Sequence, residues 1–151
     1  MIVLRRPLTV KVGCIYTHPM VQDIDLAVTR GCLCLAARRT ARTITRMYED
    51  LLRPHGLRAT QFSILASLAL KGPTPIGELA EFLGLERTTL TRSSALLERN
   101  GWVHSGRGGD AREHPLEVTA AGREKLSAAL PAWKEAQEMA GVQFGHVAGT
   151  R

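Results

Sequence analysis

Apolar residues recur at helical spacing along most of this chain, and glycines and prolines divide that rhythm into five helices. From about Asp23 the chain reads as helix. Leu33, Ala37, Ile44, Met47 and Leu51 mark one long apolar face, and Pro54 and Gly56 end it. Thr60 is the expected N-cap of a second helix carrying Ile64, Leu65 and Leu68, which Gly72 and Pro73 stop. Thr74 and Pro75 read as the N-cap and first position of a short third helix, Ile76 to Leu83. Gly84 interrupts the pattern, and Glu86 to Asn100 forms a fourth helix. After Gly101, WVHS (102–105) and HPLEV (114–118) predict two short strands joined by the turn GRGGD, with Pro115 placing the second at an edge. Thr119 then caps a last helix. Leu126, Leu130, Trp133, Ala140 and Phe144 share one of its faces, and Pro131 is expected to kink it.

The segment from Ile76 to Asn100 has the requirements of a helix-turn-helix. Two helices that cross closely need a small residue at the crossing, a turn that tolerates positive φ, and apolar anchors for the second helix. Ala80 meets the first need and Gly84 the second, while Leu79, Leu83, Leu85, Leu90 and Leu97 are the anchors. At 100° per residue, Leu90, Ser93 and Leu97 of the fourth helix face inward. The opposite side presents Thr88, Thr91, Arg92, Ala95 and Arg99, with Arg87 and Thr89 at its flanks. This surface is short, polar and cationic. Arginine can bond a guanine edge, and a Thr or Ala methyl can touch a thymine methyl. A helix of this length, about 22 Å, suits a major groove. A solvated helix of an ordinary bundle would show the same pattern. The hairpin that follows tips the reading toward DNA, because its glycine-rich tip bears Arg107 and Arg112, as a wing would. Asp110 is either a partner that stiffens this loop or simply a turn residue.

Composition narrows the alternatives. At 151 residues and 44% apolar content the chain can bury a core, and with 5% aromatics that core rests on Leu, Ala, Ile and Val. No apolar run approaches the ~18 residues of a membrane span, and the start has no continuous apolar stretch of a secretory signal. The formal charge is +6, and the first twenty residues supply half of it through Arg5, Arg6 and Lys11 without an acid. The remainder is only mildly basic, which permits an anionic partner without requiring one. Residues 1–22 lack helical period and read as an N-terminal extension, with Met20 as an alternative start. Cys14, Cys32 and Cys34 form no CxxC and suit a reducing, cytoplasmic setting. His18, His55, His104, His114 and His146 are scattered without metal-ligand spacing, so neither a metal nor another cofactor is expected. There is no phosphate loop, nucleophile elbow, HExxH or clustered carboxylate pair, so no enzyme and no catalytic residue is expected.

Three stretches together resemble the MarR (multiple antibiotic resistance regulator) family: GLRATQFSIL (56–65), IGELAEFLGLERTTLTRSSALLERNGWV (76–103) and DAREHPLEVTAAG (110–122). The resemblance covers roughly Asp25 to Trp133. It implies a mostly α fold with a small β-hairpin wing, in which long N- and C-terminal helices dimerise. The implied parts are an extension (1–22), an N-terminal dimerisation helix (23–58), a DNA-binding lobe (59–119) and a C-terminal helix (120–151). It further implies a homodimeric regulator, a repressor, on a pseudo-palindromic operator in double-stranded DNA, with no membrane partner. By matching position, Arg112 is the wing arginine and Asp110 its anchor, beside Arg107. Arg87, Thr88, Thr89, Thr91 and Arg92 are the implied DNA contacts on the reading helix. The alternative is a winged-helix interaction module without operator specificity.

The family often carries an effector pocket, and two features bear on it. Arg38 and Arg42, continued by Arg46, form a stripe that suits an aromatic carboxylate, a solvated face, or pairing with Glu49 and Asp50. Cys32 and Cys34 lie about 200° apart around the helix, and either they are buried small hydrophobes or one of the thiols reports oxidation. Two departures from the family pattern stand out. The sequence ends soon after Phe144, which predicts weakened pairing at that end, and Glu117 places an acid in the wing strand.

Overall fold

The computed structural model describes residues 26–106 and 115–145. A 3-10 turn, Leu26–Gly31, leads to helix α1, Leu33–Leu52, and a second 3-10 turn, Arg53–His55, leads to α2, Ala59–Lys71. The short helices α3, Ile76–Leu83, and α4, Arg87–Arg99, follow. Strands β1, Val103–Ser105, and β2, Leu116–Val118, form an antiparallel pair, and α5, Ala120–Phe144, completes the order. This is the mostly helical, hairpin-bearing fold that the sequence implies. The expected extension (1–22), the wing tip with Arg107, Asp110 and Arg112, and the histidines His18, His114 and His146 lie outside the described residues.

Leucines dominate the core. Leu52, Leu57, Ile64, Leu65, Leu68, Leu79, Leu90, Leu97 and Leu116 are fully buried and draw α1, α2, α3, α4 and β2 together. Gly84 adopts φ +62°, the left-handed conformation that a tight helix-to-helix turn demands. Leu85 N–H then bonds Ala80 O at 2.9 Å, which locks the turn against α3. Thr119 caps α5 as expected, its Oγ1 accepting from Gly122 N–H at 3.0 Å. Among the described residues no helix is long and apolar enough to cross a membrane.

Several local expectations give way to packing. The first helix is interrupted at Cys32, where the 3-10 turn gives way to α1. Its predicted apolar face is uncovered at the N-terminal end, where Leu33 is 84% exposed. Thr60 does not cap α2. The N-cap is Arg58, and the first N–H groups are bonded by Gln61 and Glu49. Thr74 does not cap α3 either. It is buried, and it bridges Leu116 through Thr74 N–H to Leu116 O at 3.0 Å and Leu116 N–H to Thr74 O at 2.9 Å. It thus extends the hairpin by one bridge and ties the entry of α3 to β2. The inward hydroxyl of α4 is Ser94, 3% exposed, rather than Ser93. Its Oγ donates to Thr91 O at 3.1 Å, which satisfies a polar group on the packed seam. Helix α5 is one element that contains Pro131, the position at which a kink is expected. Its buried seam is Gly122, Ala129 and Ala136, while Leu130 on the predicted face is exposed. Small side chains at seven-residue spacing let the helix lie close to its neighbours α1 and α2.

Candidate nucleic-acid interface

Helix α4 is held by Leu90, Ser94 and Leu97, all buried against α2, α3 and β1. The same rotation turns Arg87, Thr88, Thr89, Thr91, Arg92, Ala95 and Arg99 outward, and all of them are exposed. Among the described residues no carboxylate pairs with Arg87, Arg92 or Arg99. An exposed guanidinium can meet phosphates or base edges. The threonines differ in what they offer. Thr91 Oγ1 donates to Arg87 O at 2.8 Å, so its hydroxyl proton is engaged while its oxygen can still accept. Thr88 and Thr89 form no side-chain hydrogen bond with the described residues, so their hydroxyls can donate or accept.

The hairpin stands directly after α4. Ser105 Oγ, at the end of β1, donates to Glu98 Oε1 on α4, and Thr119 Oγ1 donates to Gly101 O at 2.7 Å. The first bond ties the end of β1 to the reading helix, and the second ties the residue after β2 to the turn that leaves α4. Glu117 sits opposite His104 in the strand register, with Oε2 3.5 Å from Nε2. The acid in the wing strand thus has a cross-strand partner, which is ionic when the imidazole is protonated. Nothing local in the sequence signals the Glu98–Ser105 bond or the Thr74 bridge, since each joins residues from different elements.

The remaining predicted residues fall elsewhere. Arg38, Arg42 and Arg46 are exposed on α1. Among the described residues they take the solvated alternative and pair with neither acid, since Asp50 pairs with Arg53 at 3.4 Å and Glu49 with Arg58 at 3.7 Å. Cys32 and Cys34 are free and exposed, which corrects the expectation of burial. An apolar groove of about 470 Å³ lies between α2 and α5, lined by Phe62, Ala66, Leu70, Leu126, Leu130 and Trp133, with Arg123 the cation among its lining residues. Neither Arg38 nor Arg42 borders it. Trp133 stacks on Phe62 at 5.8 Å and leans on Tyr48 at 6.5 Å. Tyr48 donates its hydroxyl to Gln137 Oε1, and burial raises its pKa. The groove, which the sequence does not reveal, joins residues far apart in the chain.

A family model described as the MarR family matches residues 57–114, from just before α2 to just before β2. The transcriptional regulator MosR of M. tuberculosis, solved in complex with DNA, is 42% identical with a TM-score of 0.69. That match covers 76% of this chain and 84% of MosR. An uncharacterized HTH-type transcriptional regulator, YwoH of Bacillus subtilis (strain 168), is 36% identical over 87 residues. The match takes in 58% of this chain and spans 64% of the length of that relative. A mutant MarR of E. coli complexed with operator DNA shares the fold, with a TM-score of 0.70 at 21% identity, over 78% of this chain and 85% of that one.

Proposed function

The chain belongs to the MarR family of transcriptional regulators, and from that premise we propose that it is a homodimeric repressor of a pseudo-palindromic operator in the cytoplasm. The observation that carries this reading is the outward face of α4. Arg87, Thr88, Thr89, Thr91 and Arg92 are all exposed there, beside a hairpin braced to the same helix. In the proposal, α4 enters the major groove. Arg92 reads a base edge, Thr88, Thr89 and Thr91 contact bases or phosphates, and Arg87 positions the helix on the backbone. Arg107 and Arg112, held by Asp110, reach the neighbouring minor groove. The exposed apolar residues Leu26, Val28, Leu33 and Leu35 support pairing through the N-terminal region.

Release by an effector is the second element of the proposal. The groove between α2 and α5 suits an aromatic ligand better than the exposed Arg38 and Arg42 do, because it offers apolar walls and Arg123 together. Oxidation of the exposed Cys32 and Cys34 is the other route. It fails if peroxide oxidises both thiols and operator affinity does not change. Footprinting tests the main reading. A two-fold-symmetric footprint with a steep fall of affinity on adding salt supports it. Binding without symmetry or salt dependence would instead indicate an interaction module.

A further inference from the structure

Helix α2 begins without an acceptor of its own at the N-cap. Arg58 occupies that position, and its side chain carries only donors. Two N–H groups at this end are nevertheless bonded. Gln61 Oε1 accepts from Arg58 N–H at 2.9 Å, and Glu49 Oε1 accepts from Ala59 N–H at 3.0 Å. The second bond is not local to α2, because Glu49 belongs to α1. Its side chain is only 19% exposed, and its Oε2 stands 3.7 Å from the Arg58 guanidinium. A carboxylate here also meets the positive end of the α2 dipole.

The joint between the two helices is tight. Arg53, Pro54 and His55 form a single 3-10 turn, Gly56 takes φ +66°, and Leu57 N–H bonds Leu52 O at 3.3 Å. Besides that backbone bond and the packing of Leu52 and Leu57 in the core, the Glu49 carboxylate ties the start of α2 to α1. A polar cavity of about 380 Å³ lies alongside, with Glu49, Arg58 and Gln61 among its lining residues together with Leu96 and Asn100 at the far end of α4. The cavity thus lies between the joint and the C-terminal end of the reading helix.

We propose that Glu49 is a positioning residue that fixes the direction of α2 relative to α1, and so sets the half-site separation that a pair of reading helices prefers. The claim rests on the homodimer reading above. Leverage makes the joint matter. At 1.5 Å per residue α2 is roughly 20 Å long, so a turn of about 10° at its start moves its far end by roughly 3 Å. That is about one base-pair step of B-DNA, ~3.4 Å. The carboxylate acts through the backbone of α2, and it does not touch DNA.

The test is a spacer scan. The parent protein selects its half-site from random DNA. Paired half-sites are then placed at successive separations around ~10 base pairs, and affinity is read by fluorescence anisotropy. Hydrogen exchange of the peptide covering 57–64 is followed in parallel. The parent is expected to lose roughly tenfold in affinity one base pair away from its best separation, the size of a mismatch penalty. Glu49→Ala flattens that profile, speeds exchange at the start of α2 and leaves affinity for a single half-site unchanged. Glu49→Gln keeps an acceptor and keeps the parent's profile. Glu49→Asp, one methylene short of Ala59 N–H, gives the same reading as Glu49→Ala should the alanine variant fail to fold. A variant without the reach to Ala59 that retains the parent's profile overturns the proposal. So does one that weakens single and paired half-sites alike. A parent with no preferred separation overturns the homodimer reading, and this proposal with it.

Discussion

Gly122→Ala tests how closely the wing root and α5 are packed. Gly122 lies in the first turn of α5, where an added Cβ would stand 2.1 Å from the carbonyl oxygen of Trp102 and 2.8 Å from Val118 Cγ2. The carbonyl is not free to retreat, since it accepts from Thr119 N–H at 3.0 Å. Thr119 in turn holds Gly101 O and Gly122 N–H through its hydroxyl. Either the helix start or the chain after α4 must move. Overpacking of this kind costs about 1–3 kcal/mol. Straining the Thr119–Trp102 bond adds about 0.5–1.5 kcal/mol. The better helix propensity of alanine offsets about 0.5–1 kcal/mol of that. The net expectation is a loss of about 2 kcal/mol, read as a lower urea midpoint with an unchanged slope. Protein concentration is held constant, because self-association would shift the midpoint. Gly141→Ala is the control in the same helix. Nothing lies within 4 Å of its added Cβ, so it should be neutral or stabilising by up to about 1 kcal/mol. If Gly122→Ala proves as stable as the parent, the close approach is not what requires glycine there.

Other substitutions separate reading from folding. Arg92→Ala should cost about 1–3 kcal/mol of operator binding and relax preference at one base pair per half-site, as scored by selection from random DNA. Equal specificity in the mutant would remove Arg92 from the reading surface. Thr119→Ala removes both the cap of α5 and the bond to Gly101, and about 1–2 kcal/mol of stability should go with it in urea titration. Tyr48 carries the pH prediction. Its folded pKa is raised by burial above the unfolded value of 10.0, so its contribution is fully present below pH 10 and is lost as pH rises through the folded pKa. Tyr48→Phe should therefore melt with less alkaline sensitivity than the parent above that pH, and equal sensitivity would assign the alkaline loss to other groups.

The reading face of α4 was legible because it depends on one helix alone. Leu90 and Leu97 recur at a spacing that puts both on the buried side, and the residues between them then have to face out. The inner hydroxyl was misplaced by one position. Ser93 and Ser94 flank that seam on opposite sides, and the neighbours α2, α3 and β1 decide which of them is covered. The cysteines went the other way. Their size and polarity suit a core, yet nothing described packs over the start of α1.

Local chemistry alone determined the turn at Gly84, the cap at Thr119, the two wing strands and the cationic face from Arg87 to Arg99. Each follows from backbone geometry over a few residues. Tertiary structure decided what begins α2, α3 and the buried seam of α5. Glu49 caps α2 from another helix, Thr74 leaves its expected cap to bridge Leu116, and the small residues Gly122, Ala129 and Ala136 are the buried ones of α5, with Leu126 and Trp133 packed beside them. The reason is common to all three. A helix end takes whichever acceptor folding brings nearest, and a helix buries whichever stripe lets its neighbours approach most closely. Neither can be read from spacing along one segment.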